Sequence, residues 1–180
     1  MAGIFGRSKQ GDRLWVREAA QADIPAFVDF KTKAWEQTYV EFVDPRVFTS
    51  LKEKRSQQID FWRAELERGQ KLFVAEDADG SIVGAAAGTK PKKDGRRELL
   101  LLYVDKEVQG QGIGARLMAD SIGDDPATLW VMGVNTPAIG FYKRHGFVPT
   151  GEERRSELPS RYGAEITDVQ LARDAHGAEA

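Results

Sequence analysis

The sequence predicts a single mixed α/β domain, and three observations carry that reading. Apolar runs with strand character alternate with amphipathic helical stretches from about residue 12 to residue 173, with little linker between them. A chain of 180 residues is long enough to bury one core, and neither an internal repeat nor a second-domain boundary is visible. Twice an apolar strand runs directly into a loop and helix start of the kind that builds ligand sites.

Taken in order, Leu14 to Glu18 reads as a first strand, followed by a helix from about Asp23 to Tyr39. Asp44-Pro45 restarts a helical region, because Asp caps a helix and Pro suits its first turn; it runs to about Arg68 with a break near Arg55. Lys71 to Asp77 and Ser81 to Thr89 form a hairpin around Ala78-Asp79-Gly80, where Asp-Gly is a strong turn signal. The basic stretch Lys90 to Arg97 carries Pro91 and Gly95 and reads as a solvated turn. Glu98 to Val104 makes the fourth strand, and its unbroken apolar run predicts a mid-sheet strand covered on both faces.

A glycine-rich loop, Gln109 to Gly114, then leads into a helix ending near Ile122. Leu129 to Val134 is the fifth strand, a helix carrying Phe141-Tyr142 follows, and Val148 to Ser156 and Glu165 to Ala172 close the sheet as antiparallel strands. Residues 1–11 and 174–180 are small and polar and are expected to be flexible arms on a domain spanning 12–173.

Composition excludes several functions. A formal net charge of −2 and a pI near 5.8 give no electrostatic footprint for nucleic acid. The absence of cysteine removes disulfides, thiolate metal sites and a cysteine nucleophile together. His145 and His176 stand far apart and offer no metal cluster. Nowhere do eighteen apolar residues run together, and the N-terminus has no stretch suited to a signal peptide, so a soluble cytoplasmic protein without membrane contact is the expectation.

The loop after the fourth strand is built for an anion. Glycines at 110, 112 and 114 let the backbone approach a bound group, and the first N–H groups of the following helix point at it with the positive end of the dipole behind them. A P-loop would need Lys-Ser/Thr after the last glycine, where Ala115-Arg116 stand instead. A dinucleotide fingerprint would need G-x-G-x-x-G and an acid about twenty positions on, where Asn135 stands near that place. The pattern that fits is Q/R-x-x-G-x-G/A, filled by Gln109, Gly112 and Gly114, and with it the segment resembles the coenzyme A loop of the GNAT superfamily of N-acetyltransferases. Asn135 to Phe147 is similar to the second signature of that family: a strand, an Asn, and a helix carrying Phe141-Tyr142 that closes in Gly146-Phe147.

The resemblance covers roughly Leu14 to Arg173. It implies a central mixed, mostly antiparallel sheet flanked by helices, in which parallel strands 4 and 5 splay apart. The pantetheine arm of acetyl-CoA would then lie in the gap, against the backbone of Leu102, Tyr103 and Val104. Gln109, Gly110, Gln111, Gly112, Ile113, Gly114 and Ala115 would hold the pyrophosphate, and Asn135 would contact the arm, although a helix cap explains that residue nearly as well. Arg116 and Lys143 are weaker candidates for the terminal phosphate of coenzyme A.

The implied chemistry is acetyl transfer from acetyl-CoA to a primary amine by direct attack, with no metal. A lysine-like amine is almost entirely protonated at pH 7, so a base is useful, and a departing thiolate is helped by an acid. Tyr142 occupies the place of the family's acid, and Glu98 the place where many relatives carry a glutamate base. A packed tyrosine is the plainer reading of Tyr142, and pairing with Arg96 or Arg97 that of a strand-edge Glu98. Trp35 and Tyr39, with Thr38 and Phe42 at helical spacing, resemble the acceptor-side helix of small-molecule enzymes in the family, though a core stripe has the same spacing.

Glu36, Glu41 and Asp44 lie nearby and could attract a cationic amine, and Leu158 to Gly163 is a second candidate wall. The acceptor expected is a polyamine, aminoglycoside or amino-acid-like amine. A protein or peptide acetyltransferase acting on N-termini or lysines is the alternative, as is a non-catalytic acyl-CoA-binding module. Relatives often dimerise through sheet edges or C-terminal strands, which makes a homodimer a candidate assembly.

Overall fold

A computed structural model of the chain describes residues 14–156, 158–161, 163 and 165–174. The arm expected at 1–11, and the expected tail apart from Asp174, lie outside the described residues. Among the described residues, seven strands form one sheet: β1 (Trp15–Glu18), β2 (Leu72–Glu76), β3 (Ile82–Gly88), β4 (Arg97–Val104), β5 (Ala127–Met132), β6 (Val148–Arg155) and β7 (Thr167–Arg173). Their order across the sheet is β1-β2-β3-β4-β5-β7-β6, and every neighbouring pair is antiparallel except β4 with β5. This is the mixed sheet that the family resemblance implied.

Five helices cover it: α1 (Ile24–Tyr39), α2 (Pro45–Glu53), α3 (Arg55–Glu67), α4 (Ile113–Ile122) and α5 (Thr136–Arg144). Asp44 begins α2 as expected, its carboxylate accepting from the Arg46 N–H at 2.9 Å, and Lys54 separates α2 from α3 at the anticipated break. Phe27 of α1 meets Trp62 of α3 edge to face at 5.1 Å, and both bury against Leu72, Val74, Ala85 and Ala87 on one face of the sheet. On the other face, Ile113 and Leu117 of α4 pack on Ala75 and Ala86, while Met118 and Ile122 join Tyr142 and Phe147 over Leu99, Leu129, Val131 and Leu171.

The feature that positions the site is a break in the parallel pair. β4 and β5 are in register only at Arg97↔Ala127, Glu98↔Thr128 and Leu99↔Leu129. Beyond that point β4 continues to pair with β3, through Leu101↔Ala87 as far as Val104↔Gly84, while β5 continues to pair with β7 as far as Met132↔Asp168. The two strands therefore part after Leu99 and Leu129. Leu100 has no partner on β3, where Gly88 faces Leu99 and Ala87 faces Leu101, so it is the extra residue of a β-bulge set at the point of parting.

The bulge corrects one expectation. A strand covered on both faces was predicted for Glu98 to Val104, yet Leu100 is 46% exposed. The apolar run marks a strand that leaves its neighbour, because the residues that would have been sheathed by β5 border the gap instead.

Candidate active site

At the open end of β4, Asp105 caps a short 3-10 turn, Lys106–Val108, and accepts from the Glu107 N–H at 3.2 Å. The ammonium of Lys33 on α1 binds the same carboxylate at 2.8 Å and, with help from the Glu107 N–H, holds it below the usual aspartate range. The loop that follows is exposed from Gln109 to Gly112, and the Gln109 amide donates to the Val104 carbonyl at 3.0 Å, tying the loop to the end of the strand. Gly112 is the N-cap of α4 with φ 82°, a left-handed conformation that glycine adopts without strain. The first turn of α4 then leaves the N–H groups of Ile113, Gly114 and Ala115 without intrahelical acceptors, since the first such bond runs from Arg116 to Gly112 at 3.1 Å.

Gly114 also serves the packing of two helices. A Cβ there would stand 3.3 Å from the Phe141 ring, so the missing side chain lets α4 and α5 approach each other. Above Gly110 and Gly112 the space within 4 Å is open.

Helix α5 is fixed at both ends. Asn135 caps its start, with Oδ1 accepting from the Ala138 N–H at 3.2 Å, and its Nδ2 donates to the Tyr39 hydroxyl at 3.1 Å. One amide thus caps α5 and binds it to the end of α1. At the far end Gly146 has φ 83°, the Phe147 N–H donates to the Tyr142 carbonyl at 3.1 Å, and the Gly146 N–H to the Lys143 carbonyl at 3.2 Å. That is a Schellman closure, and its hydrophobic contact is the Phe147 ring against Tyr142 at 5.8 Å. The Gly-Phe that ends the second sequence signature therefore clamps Tyr142.

Tyr142 is 8% exposed, and its hydroxyl has no hydrogen-bond partner among the described residues. Burial, aided by the field of Tyr39, raises its pKa well above the ordinary tyrosine value. Tyr103 is raised as well, by burial first and then by Tyr39 and Tyr142, with a hydrogen bond from Trp35 opposing. Tyr39 is raised by burial against the effect of its Asn135 bond. Three neutral phenols, carried on α1, β4 and α5, thus lie within electrostatic range of one another at the parting of the strands. Trp35 completes the aromatic wall, 5.1 Å from Tyr39 and 5.8 Å from Phe48.

The structure brings together Tyr142, Tyr103, Tyr39, Trp35 and Asn135, with the 109–115 loop following the open end of β4. Glu98 stands apart, about 16 Å along β4 from Tyr103. Its carboxylate pairs with Lys92 at 3.2 Å; of the partners expected for it, Arg97 binds Asp125 and Arg96 binds Asp174. Arg116 pairs with Asp120 along α4, and Lys143 is exposed in the last turn of α5. The segment from Leu158 docks on the end of α1, where Asp44 N–H donates to the Pro159 carbonyl and Arg161 N–H to the Phe42 carbonyl, at 2.9 and 2.8 Å. It borders a cavity of about 930 Å³ with Arg155, Ser156, Glu165 and Ile166. Trp130, Arg154 and Asp168, on the face of the sheet that α1 shares, were not singled out from sequence. The one signal for them was Trp130 alternating with Leu129 and Val131, which places it on the face opposite the core.

Comparison with known proteins identifies this architecture. Residues 68–149 match the model of the acetyltransferase (GNAT) domain, a span from the end of α3 to the start of β6. A peptidyl-lysine N-acetyltransferase of Salmonella typhimurium, YjaB, is 40% identical over 109 residues, covering 56% of this chain and 71% of that protein. The chain belongs to the GNAT acetyltransferases. Among solved GNAT-like structures, the PaiA N-acetyltransferase of Thermoplasma acidophilum in complex with coenzyme A superimposes with a TM-score of 0.71 at 19% identity, over 90% of this chain and 99% of that one. A phosphinothricin acetyltransferase from Sinorhizobium meliloti in complex with AcCoA gives 0.65 at 16% identity, over 90% and 88%. Both likenesses establish the fold, and the family makes this chain an acyltransferase by class. No group of three or more metal-ligating side chains occurs among the described residues.

Proposed function

We propose that this GNAT protein transfers the acetyl group of acetyl-CoA to the primary amine of a small molecule. The observation that carries the reading is the parting of β4 from β5 after Leu99 and Leu129, with the α4 N-terminus after the open end of β4 and Tyr142 beside the gap. The chemistry of the donor set suits the ligand. Along Leu102, Tyr103 and Val104, the backbone groups on the β5 side that Gln109 does not already hold can pair with an extended amide-bearing arm as a further strand would, and the N–H groups from Gln109 to Ala115 can hold a pyrophosphate. Acetyl-CoA supplies the thioester whose carbonyl the amine attacks.

What the residues contribute follows from their environments. Burial keeps the Tyr142 phenol protonated throughout the physiological range, so it holds a proton that can be given to the departing thiolate sulfur. Trp35 and Tyr39 border the acceptor side, and Asn135 holds Tyr39 in place. Glu98 would take the amine's proton only through intervening water, given its distance from the phenols. If it does so, Glu98→Gln abolishes the acidic limb of the pH–rate profile; a profile that keeps the limb assigns the base elsewhere.

The test of the whole reading is release of free coenzyme A with a panel of polyamines, aminoglycosides, amino acids and peptides. Turnover on a small amine supports it, and acetyl-CoA binding without turnover on any member favours a non-catalytic acyl-CoA-binding module. A second reading, acetylation of protein lysines, is favoured by the name of the Salmonella relative, and a preference for peptides in the same panel would select it. No helix among the described residues is long and apolar enough to cross a membrane, in keeping with a proposed place in the cytoplasm. β1 and β6 are the sheet edges through which a homodimer would form, and light scattering decides that point.

A further inference from the structure

Trp130 is the first residue of β5 past its pairing with β4, and its ring turns away from Leu129 and Val131 toward the face that α1 shares. It stands where the gap begins. The guanidinium of Arg154 lies over this ring, 4.3 Å from its centroid. Arg154 reaches that place from β6, where it is opposite Asp168 of β7, itself opposite Met132 at the end of β5. Two strand spacings, about 10 Å, separate the Arg154 backbone from β5. Its Nε donates to Asp168 Oδ2 at 3.2 Å, while its two Nη groups make no hydrogen bond among the described residues. The side chain is 54% exposed, so a guanidinium fork is held by one edge and one face and leaves its other edge open to solvent.

A second cation stands on the sheet-facing stripe of α1. Lys31 lies one helical turn before Trp35 and two before Tyr39, on the stripe of α1 that turns toward the sheet. It is half-buried and pairs with no carboxylate among the described residues, and burial lowers its pKa. The acids that could draw a polycation are engaged: Glu36 with Lys52 at 2.8 Å, Asp44 with Arg46 at 2.6 Å, and Asp168 with Arg154. Glu41 has no ion pair among the described residues and is exposed just past the end of α1. The Arg154–Asp168 pair is neutral overall, and what distinguishes Arg154 is the edge of its guanidinium that this pair leaves without a hydrogen bond among the described residues.

We infer that the acceptor is an amine that also carries a carboxylate, and that Arg154, seated on Trp130 and oriented by Asp168, is the specificity-determining residue that binds it. This rests on the proposed acetyl transfer and names its substrate class. An amine at the mouth of the gap and a carboxylate on the Arg154 fork suit a compact amino acid, and a guanidinium can bind both carboxylate oxygens at once.

The experiment is calorimetric titration of matched acceptors into the protein, with and without free coenzyme A. Straight-chain amino acids from glycine to 6-aminohexanoate and the L-amino acids are each compared with the amine lacking the carboxylate. The expected result is at least tenfold tighter binding of one or more carboxylate-bearing members. That ratio should fall at least tenfold in Arg154→Gln and survive in part in Arg154→Lys. Equal or tighter binding of plain amines, polyamines or a lysine peptide, no binding of any carboxylate-bearing amine, or a preference that persists in Arg154→Gln would overturn the inference. Failure of acetyl transfer itself reads separately, as no release of coenzyme A with any acceptor and no binding of acetyl-CoA.

Discussion

The two halves of the cleft are built by different means. The proposed donor half is largely contiguous in the chain: β4, the capped turn at Asp105, the 109–114 loop and the start of α4 follow one another within about twenty residues, and the groups it would offer a ligand are main-chain. The proposed acceptor half is assembled from Trp35 and Tyr39 on α1, Trp130 on β5, Arg154 on β6 and Asp168 on β7, all of them side chains from remote parts of the sequence. Backbone recognition depends on local conformation and tolerates changes of side chain. Side-chain recognition depends on tertiary registers and can change without disturbing the fold, so one scaffold can keep a donor and exchange acceptors.

The largest effect expected within this comparison lies at the junction of the halves. Tyr142→Phe should lower kcat about 100-fold, the scale of losing a positioned acid, with acetyl-CoA affinity kept; steady-state kinetics beside calorimetry decide it. Wild-type turnover in that variant would remove Tyr142 from the chemistry. Gly114→Val sharpens the account of the loop, because a side chain there meets the Phe141 ring. It should cost about 1–3 kcal/mol in denaturant unfolding, the range of an overpacked contact.

A smaller effect should come from pH. Asp105 has a pKa below its unfolded value because Lys33 and the Glu107 N–H stabilise the carboxylate, so its contribution to stability is present above about pH 4 and is lost as pH falls through the folded value. Melting temperatures measured from pH 6 down to pH 3 should drop less steeply in Lys33→Met than in the wild type.

Sequence made the donor half legible because its information is local. Gln109, Gly112 and Gly114 announce a turn into a helix, and Asn135 and Gly146-Phe147 announce the two ends of α5. Strand order and the parting of β4 from β5 came through the family resemblance. The bulge at Leu100 escaped notice, because a run of four leucines contains no sign of where one of them leaves the register. Gly114 was assigned to ligand approach although it faces Phe141, since sequence shows that a glycine is present but not which surface needs the space. Arg154 was invisible for a plainer reason: Glu152-Glu153-Arg154-Arg155 reads as a solvated charge run until the register sets Arg154 opposite Asp168 and its guanidinium over Trp130.

The claim beneath all of this is that main-chain geometry at the start of α4 binds the donor. Calorimetric titration of acetyl-CoA into wild type and Gly112→Pro, with the melting temperature confirming that the variant is folded, tests it most directly. Proline removes the N–H at position 112 and cannot adopt the φ of 82° found there. Acetyl-CoA should bind the variant at least about tenfold more weakly, the equivalent of about 1.4 kcal/mol. Equal affinity in the two proteins would contradict the account and place the donor elsewhere.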